Sequence, residues 1–308
     1  MTIIAKDLIN GVEILIIEND HLKVSIIPKL GGKLLSVFNK KLKKEFVWIN
    51  KQLPLKTNMP GADYDSNFIG GIDELIPNDQ PENIDGINYP DHGELWTTPL
   101  QYEIVNNQIK LHGSLPLCQL YYTKTIQLEE DRPVISLNYS IKNESNKLRY
   151  FLWKLHAALR IKPGDKLLTS AINGQVVDIN YSRYKTLQPF KWPLIENTDA
   201  GLVPIKNNST DFFYLYDIPT GNMMLQSADE DQLFCYSYDT KVFPYQWYFA
   251  SYGGFLNHYT AILEPCTNMP MSVNDAIEKN QSSMLKPGET LNTQVQIFAG
   301  KKKQFIKS

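Results

Sequence analysis

The chain has 308 residues, 43% hydrophobic and 21% charged, with a formal net charge of -2. That balance describes a globular protein and gives no electrostatic basis for binding nucleic acid or an anionic membrane surface. Arginine occurs only at 132, 149, 160 and 183, so no cluster offers the planar fork suited to phosphate, and a neutral small ligand is expected.

The N-terminus has no cationic region followed by an apolar stretch and a cleavage site, so no signal peptide is expected. No apolar run approaches the roughly 18 residues needed to cross a bilayer. Cys118, Cys235 and Cys266 are odd in number and widely spaced, as isolated thiols of a reducing compartment are. A soluble cytoplasmic protein is the expectation.

Val12, Ile14 and Ile16 open the chain with the period-two alternation of a half-buried strand, and Gly31-Gly32 marks a turn further along. From Lys51 to Pro90 the sequence is rich in Pro, Asn and Asp and weakly periodic. This predicts a long excursion, and long ordered loops commonly bind ligands. Asp91-His92-Gly93 then makes a turn-like frame from which an imidazole can enter a cleft, with Asp91 able to hold its tautomer. After an Asn106-Asn107 turn, Ile135, Leu137, Tyr139 and Ile141 alternate with polar residues as the next clear strand.

Between Tyr150 and Ile161 a strand is predicted that sets Lys154, His156, Ala158 and Arg160 on one face and Trp153, Leu155, Ala157, Leu159 and Ile161 on the other. Turns at Pro163-Gly164-Asp165, Asn173-Gly174 and Pro219 to Asn222 imply many short strands. Glu264 shares a strand face with His258, Thr260 and Ile262, and Pro265 ends regular hydrogen bonding just beyond it, placing the carboxylate at a strand terminus. Pro287-Gly288-Glu289 turns into a last strand of Leu291, Thr293, Val295 and Ile297. No stretch sustains helical spacing. The expected fold class is all-β, with antiparallel sheets and few short helices in one continuous domain over residues 1–308.

A carboxylate and an imidazole that meet in a cleft make a general base and a general acid. Taken singly, His156 reads as a hydrogen-bonded strand histidine and Glu264 as an ordinary strand-end residue. The histidines at 21, 92, 112, 156 and 258 show no His-x-His or His-x-x-x-His pair and the cysteines no Cys-x-x-Cys, so no zinc site is expected. Gly70-Gly71 and Gly253-Gly254 form no dinucleotide or phosphate-loop pattern, and no Gly-x-Ser-x-Gly elbow is present.

Several segments spread over most of the chain carry a resemblance. They are Ile26 to Gly32 with Glu45 to Trp48, Gly70 to Pro77 followed by Asp91 to Trp96, Phe151 to Ala157, Leu263 to Pro270, and Leu285 to Glu289. Together they resemble the galactose mutarotase-like superfamily, whose best-understood members are aldose 1-epimerases. The resemblance implies a β-supersandwich, with Glu264 as general base, His156 as general acid and His92 binding substrate hydroxyls, and with no metal or organic cofactor. Asp73, Glu74, Glu94, Trp96 and Lys154 join as candidate substrate contacts. Asp73, Glu74 and Glu94 stand where well-characterised galactose mutarotases have Arg and Asn around the first His, and Pro265 and Cys266 replace a Thr and a Gln, so galactose itself is not implied.

The expected activity is interconversion of the anomers of a free, unphosphorylated sugar. A non-catalytic carbohydrate-binding protein and a different sugar isomerase or lyase stay open beside it. A small carbohydrate is the expected partner, without nucleic acid or membrane, and a homodimer is admitted.

Overall fold

In the computed structural model, which describes residues 2–305, the period-two segments assemble into a 12-stranded and an 8-stranded antiparallel sheet, with three two-stranded ribbons beside them. The two large sheets pack face to face. Leu155, Ala157, Leu159, Ala261 and Leu263 of the larger sheet share one buried cluster with Ile126, Leu137, Tyr236 and Ile297 of the smaller. Each run is spaced at i and i+2, so one face of every strand supplies core and the other is left for different use.

Five neighbouring strands of the larger sheet matter most for function. In chain order they are β1 (Ile72–Leu75), β2 (Lys154–Arg160), β3 (Ser209–Tyr216), β4 (Tyr245–Tyr252) and β5 (Tyr259–Cys266). Side by side they run β1-β2-β5-β4-β3, so β1, β2 and β5 come together from distant parts of the chain, while β4 and β5 are joined by a short connection.

The strand expected over 150–161 is divided. Arg149–Phe151 pairs with Ser283–Leu285 in a separate ribbon, and β2 begins at Lys154. At the break the Leu152 amide donates to the Pro77 carbonyl at 2.7 Å and the Trp153 amide to Thr267 Oγ1 at 2.9 Å, so the loops satisfy the backbone where the ladder lapses.

The excursion from Lys51 to Pro90 also departs from expectation, because it contains the short helix α1 (Tyr64–Asn67), strand β1 and a hairpin of Glu82–Ile84 with Ile87–Tyr89. All four β1 residues are buried. A strand covered on both faces lacks the inside-outside contrast that marks a half-buried one.

The helices are short, at Tyr64–Asn67, Val273–Glu278 and Lys302–Phe305. Among the described residues no helix is long and apolar enough to cross a membrane. Cys118, Cys235 and Cys266 are buried free thiols.

Candidate active site

Directly paired residues on adjacent antiparallel strands project to the same face, with Cβ atoms about 4.5–5.5 Å apart. Asp73 of β1 pairs with His156 of β2. The β2/β5 register joins Lys154 to Cys266 and Ala157 to Leu263, and the same register sets His156 opposite Glu264. Glu264 pairs with Trp247 of β4, completing a row across four strands. A second row, one step along, holds Ala158, Ile262, Phe249 and Phe212. These rows underlie a cavity of about 280 Å³, lined among others by His92, Lys154, His156, Phe212, Phe249 and Glu264. That is the small end of ligand-site sizes and suits one sugar ring.

His156 is 3% exposed, and its Nδ1 lies 3.0 Å from Asp73 Oδ1. The other carboxylate oxygen of Asp73 receives the Lys33 ammonium at 2.9 Å and the Tyr64 hydroxyl at 3.2 Å. A carboxylate accepts, so Nδ1 carries a proton and Nε2 is the nitrogen left for the cavity. Burial pushes the Asp73 carboxyl up, but the Lys33 charge and the hydrogen bond from His156 outweigh it and hold the group well below the usual carboxylate range.

His92 is placed by its turn. Its φ is 59° and that of Gly93 is 70°, both left-handed. A Cβ on Gly93 would meet the Ile76 carbonyl oxygen at 2.3 Å, so the Asp91-His92-Gly93 frame needs its glycine. The His92 amide donates to the Asp79 carbonyl at 2.6 Å, docking the turn on the segment that leaves β1. The ring lies parallel to that of Tyr64, with centroids 3.9 Å apart, and Nδ1 is 2.9 Å from Asp91 Oδ1. Tyr64 thus touches both histidines, because its hydroxyl is 3.4 Å from His156 Nδ1.

Lys154 connects the two halves. Its ammonium is 2.6 Å from Asp79 Oδ1, 2.7 Å from Glu264 Oε2 and 4.5 Å from the ring centroid of Trp247. Burial alone would lower its pKa, but the paired Asp79 and Glu264 hold it above the ordinary lysine value. A lysine kept protonated is no nucleophile, which argues against Schiff-base chemistry here. Burial likewise raises the Asp79 carboxyl, and the charges of Lys154 and His92 bring it below its ordinary range.

Four of the residues singled out from sequence, His92, Lys154, His156 and Glu264, line the cavity. Asp73 lies beneath His156, and Trp96 packs edge-on against Tyr64 at 5.0 Å, so neither borders it. Glu74 and Glu94 are elsewhere, which corrects their reading as substrate contacts. Glu74 alternates with Asp73 along β1 and therefore enters the inter-sheet core, where Lys124 reaches it at 2.7 Å and the Tyr139 hydroxyl at 2.6 Å. Glu94 accepts the backbone amides of Leu117 and Cys118 at 2.8 and 2.9 Å and anchors a loop.

Sequence reasoning missed Tyr64, Asp79 and His258. Phe212 and Phe249 supply aromatic walls to the cavity. Asp63, which caps α1 by accepting the Ser66 amide at 2.8 Å, was a local signal for the helix that presents Tyr64.

No protein-family model and no curated protein matches the chain. Solved structures do match. A candidate aldose 1-epimerase from Klebsiella pneumoniae superimposes with a TM-score of 0.73 at 15% identity, over 96% of this chain and 82% of that one. A galactose mutarotase-like protein from Clostridium acetobutylicum gives 0.69 at 13% identity over 97% and 98%. Another from Lactobacillus casei gives 0.62 at 17% identity over 93% and 99%. Likeness at this level of identity is likeness of fold, and it shows that the chain has the galactose mutarotase-like fold.

Proposed function

We propose that the protein is an aldose 1-epimerase-like isomerase acting on a free, neutral sugar. The observation that carries this reading is the placement of His156 and Glu264 opposite each other on adjacent strands, beside a cavity the size of one sugar ring. Glu264 takes the proton of the anomeric hydroxyl while His156 gives its Nε2 proton to the ring oxygen. The bond between C1 and the ring oxygen breaks, leaving an open-chain aldehyde. Rotation about C1–C2 presents the other carbonyl face. Closure then returns the ring-oxygen proton to His156 and the Glu264 proton to the C1 oxygen, giving the opposite anomer. These transfers call for no metal or organic cofactor.

Substrate charge is set by the walls. Asp65, Asp79, Asp91 and Glu264 border the cavity, whereas Lys154 is the one lysine or arginine among the described lining residues and already pairs with two of these carboxylates. Sugar phosphates and uronates meet net repulsion there. Exchange NMR on a panel of pure α-anomers tests the activity, with faster anomerisation of at least one neutral sugar as the expected result.

The ion pair at Glu264 favours a second reading, sugar binding without turnover, since a cation beside a carboxylate weakens it as a base. Calorimetric binding with no acceleration for any sugar would move that reading to the front.

A further inference from the structure

We propose that Lys154 is a positioning residue that fixes the orientation of the Glu264 carboxylate and, through Asp79, ties it to the turn carrying His92. The inference rests on the reading of Glu264 as the base. It reassigns a lysine whose place on the His156 face of its strand suggested a sugar contact.

The ammonium has three donors. Asp79 and Glu264 occupy one side of it at 2.6 and 2.7 Å, and the Trp247 indole closes another at 4.5 Å. That indole is itself held by its Nε1–H donating to the Asn268 carbonyl at 3.0 Å. Lys154 borders the cavity, but its cation is spent on Asp79, Glu264 and the face of Trp247 and not offered to a sugar. With Oε2 of Glu264 engaged by Lys154, Oε1 is the oxygen left to meet the anomeric hydroxyl. A carboxylate free to rotate would present either oxygen in many orientations, and a misplacement of about 1 Å can cost a hundredfold in rate.

The second arm gives the arrangement its reach. Asp79 forms an ion pair with the Lys154 ammonium through its side chain and accepts the His92 amide through its carbonyl. One connected path therefore runs from the base through Lys154 and Asp79 to the imidazole proposed to bind hydroxyls. The charged and titratable groups facing Glu264 are Lys154 and His156 of β2, Cys266 of its own strand β5, Asp79 of the segment after β1 and Tyr64 of α1. Lys154 is the one permanent cation among them.

The test is Lys154→Met, which keeps length and apolar contact with Trp247 but removes the charge. Turnover of the best neutral sugar should fall about tenfold to a hundredfold with KM within about twofold, because the lost interaction serves the transition state. The Glu264 carboxyl ¹³C signal, assigned by its absence from Glu264→Gln, should change its chemical shift at fixed pH in Lys154→Met, which reads the loss of the 2.7 Å contact without turnover.

If Lys154→Met fails to fold because two buried carboxylates are left uncompensated, Asp79→Asn/Lys154→Met removes one anion with the cation and allows the same comparison. A raised KM with unchanged turnover would make Lys154 a sugar contact and overturn the proposal, as would a Glu264 signal that does not shift. A wild-type protein that turns over no sugar, but whose Glu264 signal shifts in the variant, would remove the epimerase reading and keep the role of Lys154 in holding Glu264.

Discussion

Replacing Glu264 by Gln keeps the shape of the side chain and a carbonyl for hydrogen bonding but removes the proton acceptor. Turnover should fall about a hundredfold or more in exchange NMR while sugar affinity by calorimetry changes little. His156→Asn should lower turnover similarly. His92→Asn, by contrast, should weaken affinity and turnover together, because its proposed contacts are the same in ground and transition states. Near-normal turnover in Glu264→Gln would overturn the mechanism.

The carboxylates beneath these groups set a pH dependence of another kind. Asp73 and Asp79 are held below their ordinary range despite burial, which opposes it, by Lys33 and His156 in one case and by Lys154 and His92 in the other. A group depressed on folding contributes stability above its unfolded value, and that contribution is lost as pH falls through the folded value. Thermal unfolding should therefore show the loss beginning as pH drops below about 4. Asp79→Asn should flatten that acid-side fall.

At the level of elements, the site depends on turns and strand ends that hold side chains still. Gly93 combines a φ of 70° with contact at the Ile76 carbonyl, so Gly93→Ala is strained both by conformation and by lack of space. It should cost about 1–3 kcal/mol and lower the unfolding temperature. Because the same turn orients His92, sugar affinity should fall with it; affinity equal to wild type in the folded variant would separate the turn from binding.

The β2/β5 ladder lapses opposite Glu264 and Pro265, as a residue without an N–H requires, yet β5 continues to Cys266 through its pairing with β4. Pro265 therefore interrupts one ladder and leaves the strand intact. The break before β2 has a similar logic: Leu152 and Trp153 find partners in the Pro77 and Thr267 segments, and the chain crosses from a small ribbon into the large sheet. Alternation across Lys154 to Arg160 was legible in the sequence, whereas the start of the strand depended on those distant partners.

Over the whole molecule, two buried charge systems lie on opposite faces of the larger sheet. Asp73 serves the cavity face, and its neighbour Glu74 meets Lys124, which is fully buried between the sheets. Glu74→Gln would leave the Lys124 ammonium without its counter-charge and should destabilise the protein by about 3–5 kcal/mol, measured by denaturant unfolding. Turnover per folded molecule should be unchanged, because Glu74 does not reach the cavity.

The sequence by itself determined the all-β class, the alternation of the β2 and β5 segments, and the local frames around His92, His156 and Glu264. These are properties of neighbouring residues, since successive Cβ atoms on a strand point to opposite faces whatever lies beyond. Tertiary structure alone decided that Ile72–Leu75 is a central strand, that Asp73 and Glu74 divide between two environments, and that Tyr64, Asp79 and Lys33 join the histidines and glutamate. Asp73 and His156 are 83 positions apart, and their contact exists only through the pairing of β1 with β2. Register between distant strands is chosen by the burial of whole faces, so no local pattern could show which carboxylate would sit beneath His156 or which cation would hold Glu264.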